Sequence, residues 1–442
     1  MRIAHINVVA SLSTGRIAAN LCRAAEQTGH KALLCYARGN APRDIPSYRI
    51  GGNLGMSLHL GLARLTDRAG FFSRQATRKL VRQLEAYQPD LIHLHNLHGY
   101  YLHLPTLFAY LKQKNIPVVW TLHDCWPFTG HCAYYTLAQI PKQEGKRRSR
   151  NQEYIQGCSR WQTGCRDCPL THSYPSSWMI DRSKRNWQEK RKLFSGLKYM
   201  VLATPSQWLR GQVQQSFLKD YPVYALPNGL DLEAFAPRQN QDYLRLIFGS
   251  DKSQWRKLVL SVAAVWDERK GLEDLIHLAG QLGPDYLVVA VGLDQYQLSA
   301  LPRNSILGLK RTSSLNELCN LYTAADVYVS ASREETMGMT LLESLACGTQ
   351  VICYDATAMP EIVTLTVGRV VPPGDISAMA DAVRSLCDAP LSREDCRARA
   401  AQYDAQGRYA AYIQLYENMY RHSPAYARAV AEAEERKRRA DD

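Results

Sequence analysis

The stretch Asp326-Val327-Tyr328-Val329-Ser330-Ala331-Ser332-Arg333-Glu334-Glu335-Thr336-Met337-Gly338-Met339-Thr340-Leu341-Leu342-Glu343-Ser344-Leu345-Ala346-Cys347-Gly348 changes its hydrophobic period midway. Its first part alternates and is β-branched, as a buried strand requires. Its last part repeats Leu341, Leu342, Leu345 and Ala346 at helical spacing and stops at Gly348. Glu335 and Glu343 therefore flank a strand-to-helix corner, one at the end of the strand and one a turn into the helix. Ligands bind at such corners of an α/β sheet, because helix N-termini and loops meet at the carboxyl ends of the strands. Gly338 lets the backbone come close to a ligand, and a glutamate can accept two hydrogen bonds from a vicinal diol. The spacing alone suits an ordinary corner with solvated acids equally well.

The same rhythm extends in both directions. Strand patterns occur at Ile3 to Val9, Ala32 to Tyr36, Leu91 to His95, Val118 to Leu122, Met200 to Ala203 and Val223 to Leu226. Helical patterns lie between them, among them Ile17 to Thr28, Thr77 to Tyr87 and Leu104 to Lys114. A second series runs Leu258 to Ala263, Tyr286 to Val291, Ser305 to Leu307, Val327 to Ala331 and Val351 to Tyr354. Strands separated by helices imply parallel, doubly wound sheets. The expected class is α/β, with an N-terminal Rossmann-like domain over 1–238, a second over 239–405, and a helical segment and tail over 406–442. The turn-rich Pro227-Asn228-Gly229-Leu230-Asp231 suits the junction. A basic, cysteine-bearing insertion at about 125–192 interrupts the first series.

The 442 residues allow two to three domains, and no apolar run reaches the length of about 18 residues that a membrane span needs. The N-terminus reads as a first strand rather than a signal peptide, which points to the cytoplasm. The net charge of +13 is uneven: Lys142 to Lys192 holds thirteen Lys/Arg against five Asp/Glu. Such a patch favours an anionic partner, whether nucleic acid, a phosphorylated acceptor or an anionic membrane surface. Seven of the twelve cysteines are scattered through apolar segments. Cys125, Cys132, Cys158, Cys165 and Cys168 are clustered. Of these, Cys132, Cys158, Cys165 and Cys168 offer four thiolates, with a C-x2-C pair suited to one tetrahedral Zn²⁺, and a reducing compartment argues against disulfides. A four-cysteine site would leave no open position, so any such metal is structural.

No dinucleotide fingerprint follows the first strand. Gly51-Gly52-Asn53-Leu54-Gly55 is glycine-rich but misplaced for NAD. The first strand enters Ser11-Leu12-Ser13-Thr14-Gly15-Arg16, a small-residue turn that could host an anion or an acceptor group. In Asp267-Glu268-Arg269-Lys270-Gly271, Lys270 follows the second domain's first strand, where a lysine can neutralise a diphosphate leaving group.

Taken together these motifs resemble the retaining sugar-nucleotide glycosyltransferases of family 4, of the GT-B fold, and especially the branch that builds exopolysaccharides such as colanic acid. Glu335 and Glu343 match that family's E-x7-E pair. Thr204-Pro205-Ser206-Gln207-Trp208-Leu209, Pro227 to Asp231, Tyr322 to Asp326 and Pro360-Glu361-Ile362-Val363 fit its further segments. His93 to Tyr100 and Trp120 to Trp126 look like the exopolysaccharide branch. The resemblance runs to about Tyr420.

That resemblance implies two domains facing a cleft, with no cofactor beyond a UDP- or GDP-sugar donor. Glu343 would hold the ribose diol and Glu335 the donor sugar's hydroxyls. Backbone N–H groups at Met337, Gly338, Met339 and Thr340 would face sugar and diphosphate. Lys270, with Arg269 beside it, would neutralise phosphate, and Gly308 and Leu309 would lie on the base-binding loop. His123 would face the reacting centre across the cleft, with Thr14, Gly15, Arg16 and His98 on the acceptor side. The implied acceptor is a glycan or polyprenyl-diphosphate-linked lipid at the inner face of the plasma membrane. Two departures stand out. Ala264 occupies the position of the family's usual arginine, and the usual Glu-Gly-Phe-Gly is Glu335-Thr336-Met337-Gly338. A GT-B sugar-nucleotide epimerase would share the fold and donor. A zinc-bearing nucleic-acid-binding protein would fit the basic cysteine segment and Trp161, Trp178 and Trp187, but it leaves the glutamate pair unexplained.

Overall fold

Short apolar runs alternating with amphipathic helices become two wholly parallel sheets in the computed structural model. It describes residues 1–11, 13–136, 157–238, 240–248, 257–302 and 306–424, with 426, 427, 430, 431 and 434. The first sheet comprises β1 (Arg2–Val9), β2 (Lys31–Arg38), β3 (Ser47–Arg49), β4 (Leu91–Leu94), β5 (Val118–Thr121), β6 (Met200–Thr204) and β7 (Val223–Ala225). Their order is β3-β2-β1-β4-β5-β6-β7. The second sheet comprises β8 (Lys257–Val262), β9 (Tyr286–Val291), β10 (Leu307–Leu309), β11 (Val327–Ser330), β12 (Val351–Tyr354) and β13 (Gly368–Val371), ordered β10-β9-β8-β11-β12-β13. In each sheet the strand order reverses once, between β1 and β4 and between β8 and β11. The loops leaving those strands open the crevice where doubly wound sheets take ligands.

Burial explains the strand pattern. Every residue of β4, β5, β11 and β12 is buried, because helices cover both faces. Strands β3 and β13, which the sequence pattern does not reveal, are edge strands: Ser47-Tyr48-Arg49 is short and polar, and the other carries Gly368 and Arg369. β10 begins two residues after the expected Ser305, which lies outside the described residues. The helices expected from Ile17 and Thr77 start earlier, as Ser13–Gln27 and Arg74–Tyr87, while Leu104–Lys114 falls where its spacing predicts. The glycine-rich segment after Gly51 opens a helix, Asn53–Thr66.

The chain divides into two compact units, one built from Met1–Pro141, Cys158–Pro227 and Gln406–Asp442, the other chiefly from Asn228–Ala405. The junction thus falls at Pro227–Asn228 rather than at 238. Leu230 bridges Asp404, and a Cβ on Gly229 would stand 2.4 Å from Ala405 Cα, so this turn is tied into the second unit. The C-terminal helix Ala405–Arg421 packs on the first unit: Tyr416 Oη meets His93 Nδ1 at 2.6 Å and Tyr412 Oη meets Thr121 Oγ1 at 3.1 Å.

The 125–192 segment is no solvated loop where it is described. Trp126, Phe128, Trp161 and Trp187 are buried in the first unit's core. Its most basic run, within 137–156, lies outside the described residues.

Candidate functional site

The opening corner folds as a strand, an irregular turn and a helix, Met339–Ala346. Gly338 starts the helix at φ +92°, a backbone region that L side chains avoid, and as a glycine it makes no side-chain cap to the first turn. Backbone N–H groups at that end and the helix dipole together make a place for negative charge. Glu343 is the fifth residue of this helix, and its Oε2 accepts a 2.9 Å hydrogen bond from the buried Tyr322 hydroxyl. Burial, and then the Glu343 charge, push the Tyr322 phenol well above its usual range, so it remains a donor.

Glu335 lies in the turn itself, between β11 and the helix. Its carboxylate pairs with Lys270 Nζ, both side chains about one-fifth exposed. Its backbone is clamped from a third corner: Glu335 N–H donates to Thr357 Oγ1 at 2.9 Å, and that hydroxyl donates back to Glu335 O at 2.8 Å. Lys270 reaches this point because Gly271 turns at φ +70° against the β11 loop, where a Cβ would stand 2.3 Å from Ala331 O. Arg333 N–H donates to Arg269 O at 2.7 Å, stitching the two loops together. Beneath them, Arg333 Nη2 donates to both carboxylate oxygens of Asp274 at 2.8 Å, and Tyr354 Oη donates to the same Asp274 at 2.8 Å. Lys270 and Glu335 are thus set at the switch point of the second sheet by buried polar contacts.

The other second-unit candidates fall as follows. Arg269 turns its guanidinium back on Asp267, with contacts of 3.2 and 2.9 Å. Ala264 is exposed. Met337 is buried, and its sulfur accepts from Asn228 N–H at 3.2 Å; Met339 and Thr340 are partly buried. Gly308 and Leu309 form β10, where a Cβ on Gly308 would meet Leu301, Leu298 and Leu293 within 2.8 Å. Packing alone therefore demands that glycine. Pattern reading missed Thr357, Tyr322, Arg333, Asp274 and Tyr354 as parts of the site. Tyr322 and Arg333 stood inside the motifs, but only the fold shows what they touch.

In the first unit, four histidines stack across β1, β4 and the end of β5. His123 Nε2 lies 3.1 Å from His95 Nδ1, and His95 Nε2 lies 3.2 Å from His5 Nδ1. His93 lies beside them, with Nε2 2.7 Å from Thr121 Oγ1. Burial lowers all four, His123 to about 4 and His5 to about 3, so the file is neutral. Next to it, His98 Nε2 meets Asp124 Oδ2 at 2.6 Å and His98 Nδ1 meets Tyr174 Oη at 2.9 Å. Burial alone would raise the Asp124 carboxyl, but His98 and the Trp126 N–H hold it below its usual range. Thr14 is buried and takes a 3.2 Å bond from Asn7 Nδ2; Arg16 is exposed. Gly15 packs on the end of β1, where a Cβ would lie 2.8 Å from Ala10 C. Cys132, Cys158, Cys165 and Cys168 line one small cavity, and all are unbridged.

The chain is similar to known proteins along nearly all of its length. The profile of Glycosyltransferase Family 4 matches residues 14–234, and that of Glycosyl transferases group 1 matches residues 243–403. The colanic acid biosynthesis glycosyl transferase WcaC of Escherichia coli K12 is 24% identical over 346 residues, 75% of this chain and 77% of that protein. A GDP-mannose-dependent phosphatidylinositol monomannoside mannosyltransferase of Corynebacterium glutamicum is 27% identical over 245 residues, 50% of this chain and 61% of its own. Among solved structures, sucrose-phosphate synthase of Thermosynechococcus elongatus superposes with a TM-score of 0.66 at 16% identity, covering 96% of this chain and 100% of that one. Anabaena HepE in complex with UDP-glucose gives 0.63 at 16% identity, covering 95% and 100%. With one family profile spanning half of its length and the other most of the second unit, the chain belongs to the family 4 glycosyltransferases, enzymes of the GT-B fold.

Proposed function

We propose that this enzyme transfers a sugar from a UDP- or GDP-sugar, with retention of anomeric configuration, to a glycan or lipid-linked acceptor in the synthesis of a bacterial surface polysaccharide. The observation that carries the reading is the convergence of Lys270, Glu335 and the helix N-terminus at Gly338 on the switch point of the second sheet. In this reading Glu343 binds the ribose diol and Glu335 the sugar hydroxyls. A diphosphate oxygen shares or replaces the Lys270–Glu335 contact, so leaving-group charge develops against Lys270 and the helix end. The acceptor hydroxyl attacks from the face that the diphosphate leaves, and the departing phosphate takes its proton. His123, held by His95, orients the sugar or acceptor. With Arg269 turned to Asp267 and Ala264 in the usual arginine position, Lys270 and the helix carry the phosphate charge. WcaC by its name supports polysaccharide synthesis, and the UDP-glucose complex and the GDP-mannose-dependent relative support the two donor bases.

Contact with an anionic membrane belongs to the same reading. Among the described residues no helix is long and apolar enough to cross a bilayer. Helix Asn53–Thr66, however, buries Met56, His59 and Ala63 on one side and turns Leu54 (86% exposed), Leu58 (64%) and Leu65 outward on the other. Trp178 N–H donates to Arg64 O at 2.9 Å, which brings exposed Trp178, Met179 and Ile180 to the end of that stripe. Arginine stems and an interfacial tryptophan beside apolar leucines suit a headgroup surface.

A thermal-shift screen of UDP-, GDP- and ADP-sugars tests the donor, since a ligand that binds only the folded state raises the midpoint. A midpoint raised by none of them would overturn the donor reading, and an inverted product anomer the retaining one. Release of an epimerised nucleotide sugar without acceptor would favour the epimerase. For the membrane, flotation with phosphatidylglycerol vesicles should fall in Leu54→Ser/Leu58→Ser. Equal flotation of both proteins counts against this face.

A further inference from the structure

We propose that Cys132, Cys158, Cys165 and Cys168 bind one structural zinc ion that staples the inserted segment to the core of the first unit. The argument begins with their placement. Cys132 follows the turn at Trp126–Phe128, whereas the other three come from beyond residue 157, yet all four line one small space of about 10 Å³. That is room for about one water-sized sphere. Its wall is almost wholly apolar and offers a water few partners, apart from sulfur and the arginines.

Two of the sulfurs already meet backbone donors. Gly130 N–H donates to Cys165 Sγ at 3.1 Å, and Leu170 N–H bonds Cys168 Sγ. Backbone donors aimed at sulfur stabilise it as a charged ligand and fix its direction, as outer contacts do around metal ligands. The Cys165–Cys168 turn is held from both sides. Arg160 Nη1 donates to the carbonyls of Arg166 and Asp167, Asp167 takes φ +45°, and Cys168 N–H donates to Asp181 Oδ2 at 2.7 Å. Gly130 cannot carry a side chain, because a Cβ there would lie 2.1 Å from Ser183 O and 2.7 Å from Cys165 Cβ.

Charge balance points the same way. Four thiols that bind Zn²⁺ release four protons to solvent and leave a centre of net charge −2. Arg160 and Arg166 line the cavity. Lys190 is buried with its ammonium on carbonyls, 2.8 Å from Trp126 O and 3.1 Å from Thr129 O, and 3.5 Å from the centroid of the Trp126 ring. The two guanidiniums offset an anionic centre that an apolar cavity would not otherwise hold.

The sulfurs must close on the ion. Among the described residues, the group of potential ligands whose atoms already lie within 4.8 Å of one another is His5, His93 and His95. Zn–S bonds of about 2.3 Å would draw the four sulfurs inward and collapse the cavity. The histidine file is the rival site. It is fully buried and has no carboxylate or thiolate among its three ligands to offset a dication.

The test is metal analysis of the full chain purified without a metal-binding tag. About one zinc per chain is expected, lost in Cys158→Ser/Cys168→Ser and kept in His5→Asn. Should the serine variant fail to fold, a mercurial thiol reagent on the wild-type protein should release the zinc as four thiols react. Cobalt in place of zinc should give thiolate-to-metal charge-transfer absorption. Metal-free protein that does not take up zinc after reduction would overturn the proposal. So would zinc that survives the cysteine changes and disappears with His5→Asn.

Discussion

The Tyr322 hydroxyl donates to Glu343 Oε2 at 2.9 Å, and so joins helix Leu315–Ala324 to the helix that carries the proposed ribose ligand. The phenol is fully buried, so its hydrogen bond limits the rotamers open to the carboxylate. Tyr322→Phe keeps the packing and removes that one bond, worth about 1 kcal/mol. The expected result is a donor KM roughly fivefold higher with kcat little changed. Glu343→Ala loses the ribose contact itself and should cost about ten- to a hundredfold in kcat/KM. Steady-state kinetics on both variants check the order: a Tyr322→Phe effect as large as that of Glu343→Ala would mean the phenol contacts the donor directly.

Lys270 and Glu335 should behave as a coupled pair. Lys270→Met removes the charge set against the leaving group, and a loss of about 10²–10³ in kcat is expected, the scale seen for single donors to developing negative charge. Glu335→Gln keeps the shape and loses the charge that draws Lys270 away from phosphate. It should weaken sugar selection more than nucleotide binding. Nucleotide diphosphate affinity measured by calorimetry separates the two, since it should fall with Lys270→Met and hold or rise with Glu335→Gln.

Much of this site could be read before folding, because the Glu335–Glu343 corner carries its own change of period. Glu335 and Lys270 are 65 positions apart. Their meeting follows from β8 and β11 being neighbours, which strand patterns alone do not state. Arg333, Asp274 and Thr357 act through other residues, so no motif chemistry announces them. Gly308 shows the opposite case: it matched a binding loop, yet the leucines around it already require a glycine. In the first unit, alternate residues His93 and His95 signalled a strand, but not that His5 and His123 would complete a file. The apolar outer face of helix Asn53–Thr66 was hidden by the glycines that open it.

The Asp274–Arg333 pair is a stability element under the site. Its side chains are 8% and 11% exposed, and Asp274 also accepts from Tyr354. Asp274→Ala leaves a buried guanidinium and a phenol without that carboxylate, a loss of about 3–5 kcal/mol. For a unit of this size the midpoint should drop by roughly 10 °C. Adding Arg333→Met should restore part of the loss, because the stranded charge goes with it. A double variant less stable than Asp274→Ala would show that Arg333 stabilises the fold through other contacts.

The histidine file makes the first unit sensitive to acid, with a sign that can be worked out. Burial depresses His5 to about 3 and His123 to about 4, and puts His93 and His95 well below the usual value. In the unfolded chain each titrates near 6.5. Above about pH 7 all are neutral in both states, and they contribute nothing to the pH dependence. As pH falls below about 6.5 the unfolded chain takes up protons that the folded unit refuses, so stability falls by up to about 1.4 kcal/mol per pH unit for each histidine. Urea unfolding of the first unit, followed by tryptophan fluorescence from about pH 7.5 to 5, should show an uptake approaching about five protons, because burial also lowers His59 of this unit to about 3, with a further part from His103, which burial lowers as well. His5→Phe should lower that number by about one. An unfolding free energy that stays level across this range would mean that the file is already protonated in the folded state.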